Sequence, residues 1–166
     1  MFRTKLAFIS CVVLSCGLLG CNRQPSPPAF TPGLGEIMTL TQMRHTKLWF
    51  AGEGANWPLA EYELEELNEG FEDAATFHPT HKDAPLPIPQ LIEKMMTAPV
   101  HDLDETVKAK DRERFVKAFD AVTDGCNSCH RATNFDFNVV SRPTSNPYSN
   151  QVFEPVQSKS GQANSK

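Results

Sequence analysis

Three observations predict an all-α protein, an antiparallel four-helix bundle. Four stretches carry apolar residues at helical spacing. Short Gly- and Pro-marked connections separate them, as an up-down bundle requires. Strand-like alternation is missing from these stretches, and no segment repeats another. The 166 residues amount to one domain with appendages. With 40% hydrophobic and 22% charged residues, the chain is neither collagen-like, wholly disordered nor many times membrane-spanning. A net charge of −4 without a Lys/Arg cluster excludes a nucleic-acid binder, which needs a basic face to displace counterions.

The first helix is predicted over 33–51, with Thr31 as its cap and Pro32 in the first turn. Gly52 and Gly54 are expected to stop it. Asn56 caps the second helix and Pro58 is tolerated in its first turn, carrying it to His78. Along it Leu64, Leu67, Phe71, Ala74, Ala75 and His78 form one stripe. The other faces bear Glu61, Glu63, Glu65, Glu66, Glu69, Glu72 and Asp73, read as a solvated acidic surface. Pro79, Pro85, Pro87 and Pro89 stiffen the next connection. A third helix is expected over 89–109, interrupted at Ala98-Pro99. Asp111 caps a fourth that runs unbroken to Ala132. The bundle domain thus spans 32–140, and 141–166 reads as a surface-hugging arm with a disordered tail.

Residues 1–20 stand apart. Arg3 and Lys5 precede an apolar run from Leu6 to Leu19, shorter than the roughly 20 residues a bilayer span needs. The run ends in Leu18-Leu19-Gly20-Cys21, which resembles the lipobox of bacterial lipoprotein signal peptides. The resemblance implies cleavage before Cys21, acylation of that thiol and export to the periplasmic side of a membrane. Acyl chains at about 0.8 kcal/mol per buried CH₂ would anchor the protein durably. Asn22 after the cysteine implies the outer rather than the inner membrane. Residues 21–31 would be a Pro-rich tether. Cys11 and Cys16 leave with the signal, so Cys126 and Cys129 remain as the mature chain's free thiols.

Those two thiols form Cys126-Asn127-Ser128-Cys129-His130, the C-x-x-C-H signature of covalent haem attachment. Cysteines at i and i+3 can reach the two vinyl groups on one porphyrin edge. His130, which follows, can serve as the proximal iron ligand. Phe115, Phe119, Val122, Cys126 and Cys129 share one helical stripe, so one haem c would be stitched to the core face. Two rivals are a redox dithiol, which needs a βαβ setting, and zinc held by His78, His81, Cys126 and Cys129.

The run from Asp111 through Phe115, Phe119, Val122 and Gly125 to Cys126, Cys129, His130 and Arg131 resembles the last helix of the cytochrome c-prime group. That resemblance implies a four-helix bundle with haem near the end of the fourth helix and a distal residue from the first. Met38 and His45 are the two distal candidates, on a shared face with Gln42 and Trp49. His78, His81 and His101 read as surface residues, and Trp49 and Trp57 as core.

The expected function is a monohaem, lipid-anchored electron carrier whose acidic surface guides a basic redox partner. Should neither Met38 nor His45 bind, a five-coordinate haem would take nitric oxide or carbon monoxide. A zinc-binding or structural lipoprotein is the remaining alternative. No nucleophilic triad, phosphate loop or paired carboxylates suggests an enzyme, beyond weak peroxidase activity at an open iron.

Overall fold

A computed structural model describes residues 30–81 and 84–156. Cys21, the tether to residue 29, the signal-like segment and residues 157–166 lie outside the described residues. Four helices and no strands are present among those described: α1 (Leu34–Glu53), α2 (Trp57–Phe77), α3 (Ile88–Ala109) and α4 (Arg112–Ala132). None is long and apolar enough to cross a membrane.

Helix ends follow local chemistry, with one shift. The cap of α1 is Gly33, not Thr31. Its N–H donates to the Glu36 carboxylate at 2.8 Å and its carbonyl accepts from Ile37 at 3.1 Å. A reaching Glu at the third helical position thus replaces the expected hydroxyl cap. Asp111 caps α4 as its sequence position predicts, Oδ1 accepting from the Arg114 N–H at 3.0 Å.

Packing runs α1 on α2, α2 on α3 and α3 on α4, and α1 meets α4 over a smaller contact. Where they do meet, Gly52 lies on Phe115, Trp49 on Phe115 and Phe119, and His45 on Phe119 and Thr123. Gly52 does not stop the helix. A Cβ there would fall 2.1 Å from Phe115 Cζ, so its task is to admit the fully buried ring. Phe115, Phe119, Leu48, Leu64, Leu67 and Leu103 build the main core. A smaller cluster of Ile37, Ala74, Ile88 and Leu91 lies toward the other end of α1.

Three further expectations are corrected. Pro99 does not interrupt α3. It cannot bond the Met95 carbonyl four residues earlier, and Gly125 of α4 packs there; a Cβ on Gly125 would come 2.8 Å from that oxygen. Close packing against α4 holds the helix together across the proline.

Glu63 is not on a solvated face. It is 1% exposed and paired with Arg44 Nη1 at 3.2 Å, while Nη2 reaches Glu66 at 2.6 Å. A buried carboxylate of this kind requires a hydrogen-bonded cation, and α1 supplies it. Helical periodicity placed Glu63 next to Leu64 without revealing Arg44.

The third correction is the Asn56 cap, and it involves the arm after residue 140. The arm starts at the α1/α4 seam and runs over α1 to the α1–α2 connection. Arg142 Nε donates to Asp120 at 2.9 Å and its guanidinium sits 4.8 Å from the Trp49 ring. Lys47 covers Tyr148, and Phe153 is buried against Phe50. The Asn56 side chain does not cap α2; its amide donates to the Glu154 carbonyl at 3.4 Å. Single aromatics spaced among Ser, Asn and Pro carry no periodic signal, so these anchors were invisible to pattern.

Candidate functional site

Beyond Thr123 the seam opens into a cavity of about 260 Å³. α1 contributes Met38, Thr41 and His45, and α4 contributes Cys126, Cys129 and His130. Apolar walls come from Leu67 and Phe71 of α2 and from Ile92 and Met96 of α3. The segment after α4 closes one side with Phe135, Asn138 and Val140, the proline-rich connection adds His81, and the start of α3 adds Ile88. One turn of α4 therefore delivers both thiols and the following imidazole to a single, largely apolar chamber.

Both cysteines are free and half-buried. Burial, then the neighbouring Cys129, pushes the Cys126 thiol up to about 12; burial also raises Cys129. A dithiol of this kind stays protonated at neutral pH. Redox-active pairs need the opposite, a thiol made acidic by positive surroundings. The environment disfavours thiols cycling through a disulfide.

His130 is oriented by the segment that follows α4. Its Nδ1 lies 2.5 Å from the Asn138 carbonyl oxygen. A carbonyl only accepts, so Nδ1 carries the proton and, in the neutral ring, Nε2 keeps the lone pair. This is the arrangement that fixes tautomer and basicity in metal-binding histidines. The Asn138 carbonyl is held in turn, because Asn127 bonds both backbone groups of Val140 at 2.8 Å.

His45 is placed differently. It is 2% exposed, its ring lies 4.3 Å from Phe119, and Nε2 sits 2.8 Å from Thr123 Oγ1. The Thr123 hydroxyl already donates its proton to the Phe119 carbonyl at 2.9 Å, so Nε2–H must be the donor to it. Burial holds the His45 pKa near 4, so the ring is neutral in ordinary buffers. Met38 is half-buried, lines the cavity and packs against the same small cluster as Cys129.

The remaining histidines scatter. His81 is not a free surface residue but lines the cavity, 5.7 Å from the Phe135 ring. His78 is half-buried and bonds the Pro32 carbonyl at 2.8 Å. His101 is exposed on α3, near Asp104 and Glu105, with Asp104 already paired to Lys108. Among the described residues, this α3 trio is the one group of three or more possible ligands converging within 4.8 Å. The four-ligand zinc set of His78, His81, Cys126 and Cys129 is therefore not assembled. Donors spread around a chamber suit a broad ligand better than a bare ion.

Sequence reading missed Asn127 and Asn138, and had His81 only as a surface residue or a ligand of the zinc alternative. Asn127 sits inside the motif at a position where C-x-x-C-H accepts any residue, so only its partner reveals it. No protein-family model, curated protein or solved structure matches the chain.

Proposed function

We propose that this chain is a monohaem c-type cytochrome of cytochrome c-prime-like, antiparallel bundle form, acting as an electron carrier. The observation that carries the reading is that both thiols and His130, with its Nε2 lone pair, line one apolar cavity. Cys126 and Cys129 would hold haem c through thioethers, and His130 would be the proximal ligand. Bound there, the iron supplies one-electron transfer.

The chain's own residues set the terms of that transfer. Apolar walls exclude water, which favours the less charged reduced state. Met38 is the distal residue the packing favours. The seam pairs Gly52 with Phe115, Trp49 with Phe119 and His45 with Thr123. Each turn toward the start of α1 answers one turn toward the end of α4, and two turns beyond His45 put Met38 level with His130. His45 stays two turns behind, committed to Thr123. Exposed Glu61, Glu65, Glu69, Glu72 and Asp73 on α2 support a basic redox partner. The lipobox-like Cys21 supports attachment to the periplasmic face of a membrane, most simply the outer one.

The test is an absorbance spectrum of the processed protein made in a host that matures c-type haem. We expect a sharp α band on reduction, unchanged by carbon monoxide. Met38→Ala should open the iron to carbon monoxide, and His45→Ala should not. A wild-type spectrum that is broad and shifts with carbon monoxide would replace electron transfer by gas binding. A protein without covalent haem would refute the reading altogether.

A further inference from the structure

Resting on the reading of His130 as proximal ligand, we infer that Asn127 is its positioning residue. By clamping Val140, it holds the Asn138 carbonyl on the imidazole Nδ1–H. The clamp is two-pointed. Asn127 Nδ2 donates to the Val140 carbonyl and Oδ1 accepts from the Val140 N–H, each at 2.8 Å. A side-chain amide is the one short group able to give and take in this way, imitating a neighbouring strand. Val140 is buried, yet its neighbours Val139 and Ser141 are exposed. The stretch around it therefore has little packing of its own to fix it.

Two residues upstream, the Asn138 carbonyl meets His130 at 2.5 Å. Another link, the Asn138 N–H to the Phe135 carbonyl at 2.9 Å, belongs to the same short loop. The loop has one end on α4, through the Phe135 N–H bonded to the His130 carbonyl at 2.8 Å. Asn127 ties down the other. With both ends fixed, the carbonyl stays aimed at Nδ1. Without Asn127, the next anchor downstream is Arg142 on Asp120, four residues past Asn138, and the carbonyl can drift.

The chemical consequence has a direction. Donation from Nδ1–H to a carbonyl makes the imidazole a stronger electron donor through Nε2, which favours the ferric state. Loosening the clamp should weaken that donation and raise the reduction potential. Outer partners of metal-binding histidines typically matter by 10- to 100-fold. At the low end, tenfold in the reduction equilibrium is about 59 mV for one electron.

Asn127→Ala and Asn127→Asp, in the full haem-loaded protein, test the proposal. The Asp variant keeps the acceptor for the Val140 N–H and loses the donor, so it guards against a misfolded Ala variant. Faster hydrogen exchange at the Val140 amide reports that the clamp is broken. We expect the potential to rise by about tenfold in the equilibrium for Ala and by less for Asp. Accelerated exchange with an unchanged potential in both variants would overturn the inference, leaving Asn127 a purely structural contact. ¹⁵N spectra of the His130 ring in the full chain without haem separate this failure from that of the haem reading. Nδ1–H in the wild type giving way to mixed tautomers in the variants supports the clamp even if no haem binds. An Nδ1–H ring unmoved by either variant refutes it.

Discussion

The same two helices behave oppositely at the two ends of their seam. At the Gly52 end, α1 and α4 close on a stack of Trp49, Phe115 and Phe119, with a glycine cut away to admit one ring. At the Met38 end, the facing residues shrink to Thr41, Cys126 and Cys129, and the helices enclose about 260 Å³. Side-chain volume makes the difference, since backbone and periodicity continue unchanged along both helices. Densely packed regions feel every methylene, while a chamber lined by small and flexible groups tolerates change. The closed end is thus expected to carry stability and the open end chemistry.

Substitutions at the two ends should separate these roles. Phe115→Ala removes a fully buried ring at the closed end and should cost about 3–5 kcal/mol in urea unfolding. A loss under 1 kcal/mol would erase the contrast. At the boundary, His45 links the seam to pH. Its folded pKa near 4 lies below the ordinary 6.5, so the unfolded chain binds the proton first. Its contribution is complete above pH 6.5 and falls away as the pH drops toward 4, by about 3 kcal/mol. In His45→Leu, urea midpoints between pH 7 and 4 should decline less steeply than in the wild type.

Smaller effects sharpen the comparison further. Gly52→Ala gains helix propensity but forces a Cβ into the Phe115 ring, for a net loss of about 2 kcal/mol. A stabilised variant would show that the ring has room to move. Met38→Leu, at the open end, keeps volume and should alter unfolding by less than about 1 kcal/mol. Under the proposed function it should nonetheless change the reduced spectrum, so stability and spectrum would respond to different ends of one seam.

Sequence pattern reached the helices to within a residue or two and placed the motif on the last of them. It failed at Glu63, Pro99 and the Asn56 cap, each for want of a partner distant in sequence. Glu63 is stabilised by Arg44 on the preceding helix, and Pro99 by close packing at Gly125. Asn56 turns to the Glu154 carbonyl, on an arm that also buries Phe153 against Phe50. In the site, Cys126, Cys129 and His130 were legible because their spacing is local. The Asn127 clamp and the cavity position of His81 were not.

By itself, the sequence determined four helices, the Asp111 cap, the stripe through Phe115 and Phe119, and two thiols one turn apart. Each follows from interactions within about four residues, where 3.6-residue geometry and capping chemistry act. Only the tertiary structure decided that a cavity opens between α1 and α4 beyond Thr123, that the arm packs over α1 and that His130 Nδ1–H donates to the Asn138 carbonyl. Those outcomes depend on contacts between residues far apart in the chain. They are set by which side-chain volumes fit between elements already formed, and no local period records that.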